Sequence, residues 1–307
     1  MNTEIIYFSI IIPLYNKEKS ISKTVESVLN QRYENFELII VNDGSTDNSF
    51  EIAKQFKDKR IKFIDKKNEG VSSARNKGIE MSDFKWICFL DADDIFLPNH
   101  LETYVNLIEK YPNYNVFTTH HAQSKKYIKS INKDFVVNDF LLENSKSFAR
   151  TSQPICCVGT VVIYKDCFDE VGSFNLKSTH GEDLEMWYKL SLKYKFVKSY
   201  IVTFYYNQLA ENRATNNYTK TNIDFMNKKF HSFYSLNLYT SYYVFLNIIE
   251  AIKLKRNPLN ALKNAPIFFV VLYILYLLVY RLKYKFQLDT QIFMSKSEKK
   301  DVFFFEN

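Results

Sequence analysis

The six glycines of this 307-residue chain form neither GxGxxG nor GxxxxGK. That excludes the glycine-rich phosphate cradles of dinucleotide-binding and P-loop proteins. A strand–turn–helix serine elbow of the hydrolase type is also missing. Four cysteines are present, Cys88, Cys156, Cys157 and Cys167, without CxxC spacing. The expectation is reduced, mostly buried thiols, with neither a zinc site nor a disulfide framework. His120, His121 and His180 show no metal-ligand spacing and are expected at surface or loop positions. No internal repeat is visible. Met1–Tyr7 lacks the basic start of a signal peptide, and the apolar run at Ile10 leads straight into a turn. The catalytic part is therefore expected in the cytoplasm.

Acidic residues are scarce only toward the end. Residues 216–307 hold 13 Lys+Arg against 6 Asp+Glu, while residues 1–215 hold 28 of each. The whole net charge of +7 thus falls in the last third. A neutral domain over 1–216 followed by a basic region over 217–307 is the expected division. Such a tail favours anionic surfaces. Aromatic content is 17%, but Lys, Asn and Ile are abundant beside it, so it reads as compositional bias and carries no functional argument.

The first half alternates strand and helix patterns. Ile5–Ile12 is a continuous apolar run closed by Pro13, as in a buried strand. Ser20–Gln31 places Ile21, Val25, Val28 and Leu29 on one helical face. Strands follow at Glu37–Val41, Arg60–Asp65, Trp86–Leu90 and Asn115–Thr119. Between them lie helices around Phe50–Phe56, Val71–Met81 and Pro98–Lys110. Residues 120–155 are less periodic and read as an excursion over the site. Thr160–Tyr164 and Phe196–Tyr206 read as extended, and Glu182–Tyr194 as a helix with Leu184, Trp187 and Leu190 inward. This is an α/β, Rossmann-like pattern: a mainly parallel sheet flanked by helices, with a C-terminal helical region. Ligands of such sheets sit at the carboxyl ends of the strands. Three polar clusters fall there, at Pro13–Glu18, Asn42–Asp47 and Asp91–Asp94, and are expected to converge.

Asp91-Ala92-Asp93-Asp94 directly follows the apolar run Trp86–Leu90. Three carboxylates within four residues repel one another, and a cation would relieve them. Mg²⁺ or Mn²⁺, which prefer oxygen ligands, suit that role. A solvated acidic turn, with Asp94 capping the next helix, is the other reading of this motif alone.

The remaining clusters are Ser9–Glu18, Val41-Asn42-Asp43-Gly44-Ser45-Thr46-Asp47, Asn68–Gly78 and Gly181-Glu182-Asp183-Leu184-Glu185-Met186-Trp187. In this order and spacing, over residues 9–210, the chain resembles the family-2 glycosyltransferases of GT-A fold. The resemblance implies an inverting transfer from a nucleotide diphosphate sugar, such as a UDP-sugar, with Mn²⁺ or Mg²⁺ as cofactor. It places Pro13, Tyr15, Asn16 and Glu18 in the first nucleotide-contacting loop, where an aromatic face stacks on a base for ~1–3 kcal/mol. Asn68, Asp43 and Arg75 fall beside the nucleotide. Asp43 would accept from the base, or else serve as a turn residue before Gly44; Arg75 is otherwise an exposed helix charge. Asp91 matches the ribose-side carboxylate and Asp93 the metal ligand. Asp183 matches the catalytic base, with Glu182 competing for that role. Glu182 and Trp187 stand on the acceptor side, Trp187 being equally readable as core.

Pro266–Tyr280 is fifteen residues without a charge, preceded by Lys263 and followed by Arg281, Lys283 and Lys285. As a helix it would reach ~22 Å, short of the ~30 Å hydrocarbon core of a bilayer. An interfacial helix at an anionic membrane is the preferred reading, since basic residues flank it and Tyr is frequent; a core helix and a span are the others. No nucleic-acid motif accompanies the charge. The overall expectation is a glycosyltransferase peripheral at the inner face of the cell membrane, acting on a glycan or lipid-linked acceptor in bacterial surface polysaccharide or glycolipid synthesis. A nucleotidyltransferase and an inactive glycan- or nucleotide-binding module are the alternatives.

Overall fold

The computed structural model describes residues 5–122, 139–142, 156–178, 181–208 and 210–211. The chain enters as β1 (Phe8–Leu14), α1 (Ile21–Leu29), β2 (Phe36–Asp43), α2 (Ser49–Ala53), β3 (Ile61–Lys66), α3 (Val71–Glu80) and β4 (Trp86–Phe89). Then come β5 (Ile95–Phe96), α4 (His100–Lys110), β6 (Val116–Ala122) and β7 (Phe140–Leu142). A 3₁₀ turn at Val158–Thr160 leads to β8 (Val161–Tyr164), α5 (Cys167–Val171), α6 (Glu182–Lys193) and β9 (Phe196–Tyr205).

These strands form one mixed sheet in the order β3-β2-β1-β4-β8-β6-β9-β5, with β7 also paired to β9. The expected parallel arrangement holds from β3 to β4 and again for β6 with β9. Strand β8 enters antiparallel between β4 and β6, and β5 and β7 pair antiparallel to β9. Every residue of β1 and β2 is buried, as expected of interior strands covered on both faces. Pro13 fits β1 because pairing with β4 stops at Ile11, so its missing N–H breaks no bond on that side.

Helix α1 buries Ile21, Val25 and Val28, and α4 buries Leu101, Tyr104, Leu107 and Ile108, into the same core as the strands. Helix α3 lies on β1 and β2 so closely that a Cβ on Gly78 would stand 2.3 Å from Ile11 Cγ2. That contact fixes where the rest of α3, Arg75 included, stands relative to the central strand. In α6, Met186, Trp187 and Leu190 are buried, while Leu184, expected inward, is half-buried near the helix start.

The segment expected as an excursion is partly strand, since β6 runs to Ala122 and β7 covers Phe140–Leu142. The expected helices after residue 217, Pro266–Tyr280 among them, lie outside the described residues. No helix among the described residues is long and apolar enough to cross a membrane.

Candidate active site

In sheet order β1 stands between β2 and β4, so the loops leaving these three strands at their carboxyl ends are neighbours. Side chains lace the first two together. Asn16, in the left-handed region at φ 52°, donates its backbone N–H to Ser45 Oγ. Its Oδ1 accepts from Thr46 N at 2.8 Å. Glu18 accepts from Asn48 N at 3.3 Å, and Lys17 N donates to Ser49 Oγ. Tyr15 remains 46% exposed at the rim, and Asn68 is exposed beside Gly44. Pro13 is buried inside β1.

Asp43 is 3% exposed. Its carboxylate accepts from Gly70 N at 2.8 Å, Glu69 N at 3.1 Å and Lys66 Nζ at 2.7 Å. In this structure the group therefore ties the end of β2 to the turn that opens α3. These contacts reach the turn before α3, not the turn at Gly44.

The third loop carries the acids. Asp93 is largely buried, and its carboxylate meets the Lys17 ammonium at 2.7 Å. Burial first, and then the neighbouring Asp91, push its pKa up, with Lys17 opposing. Asp94 does not cap α4: its Oδ1 accepts from Asn207 N at 2.8 Å, and its backbone oxygen accepts from Thr24 Oγ1. Asp91 is half-exposed and accepts from Arg75 Nη2 at 2.9 Å.

Arg75 is not an exposed helix charge. It is 2% exposed, and its other arm donates to Glu182 Oε1 at 2.7 Å. Burial works against its charge, but Asp91, Glu182 and Asp183 outweigh that and hold its pKa above the ordinary arginine value. Residues from the loop after β4 and from the start of α6, far apart in sequence, thus meet at one guanidinium. Gly181 precedes α6 at φ 72°, a left-handed turn that glycine adopts without strain. Asp183, half-buried, follows Glu182, and its Oδ1 accepts from Leu184 N. Burial first, then Glu182, raise the Asp183 carboxyl to about 7, while Arg75 pulls it down. A carboxyl placed there can take up a proton near neutral pH.

Residues 9–172 match the family model described as glycosyl transferase family 2. The chain belongs to that family. A Rickettsia bellii uncharacterized glycosyltransferase is 38% identical over 60% of this chain and 26% of its own length. An uncharacterized glycosyltransferase of Haemophilus influenzae is 34% identical over 64% of this chain and 85% of its own. The Escherichia coli enzyme WfgD, a UDP-Glc:alpha-D-GlcNAc-diphosphoundecaprenol beta-1,3-glucosyltransferase, is 30% identical over 58% of this chain and 67% of its own. The chain spans less than a third of the Rickettsia bellii relative and of a second one, from Rickettsia conorii. Among solved structures, S. aureus TarS 1-349 in complex with UDP-GlcNAc superposes with a TM-score of 0.57 at 17% identity, over 96% of this chain and 78% of its own. At that identity the likeness concerns the fold, which is the GT-A fold of family-2 glycosyltransferases.

Several residues singled out in the sequence stand apart from this cluster or play a different part in it. Trp187 is 0% exposed, edge-on to Phe174, so its place is the core and not an acceptor surface. His120 and His121 are half-buried on β6, not in a loop, because that strand extends to Ala122; burial lowers both pKa values. His180 lies outside the described residues. All four cysteines are free thiols, and only Cys157 is not fully buried. Lys17 and Glu211 were missed as site residues. Lys17 stands between two residues of the first loop motif, but nothing in the sequence marks Glu211. The Glu211 carboxylate accepts from Lys19 N and Ser20 Oγ at the start of α1, and its backbone oxygen accepts from Lys17 Nζ.

Among the described residues no group of three or more His, Cys, Asp or Glu side chains is arranged to hold a metal ion. The residues present still suit a divalent cation that completes its shell with phosphate and water. Asp93, buried beside Asp91, already rests against a cation, the Lys17 ammonium.

Proposed function

We propose that the chain transfers a sugar, with inversion, from a nucleotide diphosphate donor, in the first instance a UDP-sugar, to an acceptor hydroxyl. The observation that carries this reading is the meeting of Asp91, Arg75, Glu182 and Asp183 at one point beside the three loops. The nucleotide would lie over Tyr15 and Asn68, with Asp91 toward the ribose. Asp183 would accept the acceptor's proton as its oxygen attacks the anomeric carbon. The bond from that carbon to the diphosphate breaks, and a nucleoside diphosphate leaves with the bonding electrons. Asp93, with Asp91 near it, would hold Mn²⁺ or Mg²⁺, which supplies charge neutralisation on the departing diphosphate. Support for the donor class comes from TarS, crystallised with UDP and with UDP-GlcNAc. A mannosyltransferase from Pyrobaculum calidifontis, solved with GDP-Man and Mn2+, supports the cation.

WfgD acts on a lipid diphosphate acceptor. That likeness and the basic, aromatic stretch after residue 217 favour a lipid-linked or glycan acceptor at an anionic membrane surface, in surface polysaccharide or glycolipid assembly. The test is a thermal-shift screen of sugar nucleotides with and without Mn²⁺, followed by product identification. A ligand at 100 times its dissociation constant adds ~2.7 kcal/mol of stability. Release of a nucleoside diphosphate supports transfer. Release of pyrophosphate would make the protein a nucleotidyltransferase, and binding without turnover a nucleotide-binding module.

A further inference from the structure

We infer that Arg75 is a positioning residue that couples the donor-side carboxylate Asp91 to the helix start carrying Asp183. The inference rests on the reading of Asp183 as the base. At 2% exposure the Arg75 side chain is shielded from a nucleotide, which sets aside the contact expected from sequence. Its two arms instead reach Asp91 Oδ1 at 2.9 Å and Glu182 Oε1 at 2.7 Å. The partners lie 16 and 107 residues away, one after β4 and one at the first residue of α6.

The neighbouring residue does the same work on the backbone. Asn76 Nδ2 donates to Phe174 O, and Asn76 Oδ1 accepts from Phe174 N, both at 2.8 Å. The Phe174 ring lies 5.4 Å from the Arg75 guanidinium carbon. Two consecutive residues of α3 therefore hold both the approach to α6 and its first residue. Helix α3 is itself seated on β1 through the Gly78–Ile11 approach. A displacement of Asp91 by a bound ribose would thus be felt at Glu182, and through it at the adjacent Asp183. A guanidinium fork suits this because separate N–H groups serve two carboxylates at once, whereas an ammonium is a single point charge.

The test is a double-mutant cycle on the full chain, using Arg75→Lys, Glu182→Gln and both together. UDP release from a UDP-sugar gives kcat, UDP binding gives Kd, and the melting temperature checks folding. Glu182→Gln should lower kcat by about tenfold while leaving the UDP Kd within about twofold, because only the base-side arm is weakened. Arg75→Lys should lower kcat at least as far and also weaken UDP. The double variant should be no slower than Arg75→Lys, since both changes break one connection. Multiplying losses in the double variant, or normal turnover in Glu182→Gln, overturns the inference. If Arg75→Lys fails to fold, Glu182→Asp replaces it, its shorter side chain being drawn back from Arg75. A lowered kcat with unchanged Kd and melting temperature then supports the coupling, and normal turnover overturns it. Asp183→Asn is measured alongside. If that variant stays active the base assignment itself fails and takes the coupling with it; if it is inactive and the cycle is additive, the coupling alone fails.

Discussion

Turnover should depend on pH in a way that ordinary carboxylates do not produce. Burial and the adjacent Glu182 raise the Asp183 carboxyl to about 7, with Arg75 opposing. A general base works only when ionised, so activity must rise with pH through that value. With one ionisation at about 7, the ionised fraction is ~9% at pH 6 and ~91% at pH 8, so kcat should rise about tenfold across that interval. A carboxylate at its ordinary value of 3.8 would be almost fully ionised throughout and give a flat profile. The assay is UDP release at saturating donor and acceptor from pH 5 to 9, with Mn²⁺ fixed and melting temperature recorded at each pH. A kcat that stays flat down to pH 5, with the protein folded, refutes the raised carboxyl as base.

Other outcomes follow from neighbouring features. Asp93→Asn removes the charge that Lys17 and the proposed cation share; transfer should nearly vanish and Mn²⁺ should cease to strengthen UDP binding, whereas normal turnover would remove Asp93 from the metal's ligands. Gly78→Ala sets a Cβ 2.3 Å from Ile11 Cγ2, and overpacking of this kind costs ~1–3 kcal/mol in a core. Chemical denaturation measures that loss, and an unchanged midpoint would mean α3 is not tightly seated. The full chain should co-sediment with anionic vesicles, less so at high salt, since each nearby Lys or Arg contributes roughly 1 kcal/mol with anionic lipid. A chain ending near Asn217 should lose this yet still bind UDP; full-length protein left in the supernatant would refute the membrane role.

Much of the parallel half was legible because its signals are local. Ile10–Ile12 and Leu38–Val41 are buried on both faces, which shows as continuous apolar runs. The three polar loops were legible for the same reason, since strand ends announce themselves by a change from apolar to polar residues. The direction of β8 was not, because Val161–Tyr164 has the same apolar pattern whichever way it runs. Strand β5 has two residues, too few to show a period. Asp91, Arg75 and Glu182, singled out in separate motifs, do meet, but the contacts that each residue makes were less legible. Arg75 reads as a nucleotide neighbour or else a solvated helix charge until its partners, 16 and 107 residues away, are known. Trp187 could face core or acceptor until Phe174 is seen against it. Asp43 is occupied by the turn at Glu69–Gly70, a contact that depends on how β2 meets α3.

The transfer mechanism stands most directly on the exchange Asp183→Asn, compared with wild type in single-turnover transfer and in UDP binding. A base at this position requires kcat to fall by ~10²–10⁴ while UDP and Mn²⁺ bind as before. Near-normal turnover in Asp183→Asn, with the loss appearing in Glu182→Gln instead, would contradict the assignment and move the proton to the neighbouring carboxylate.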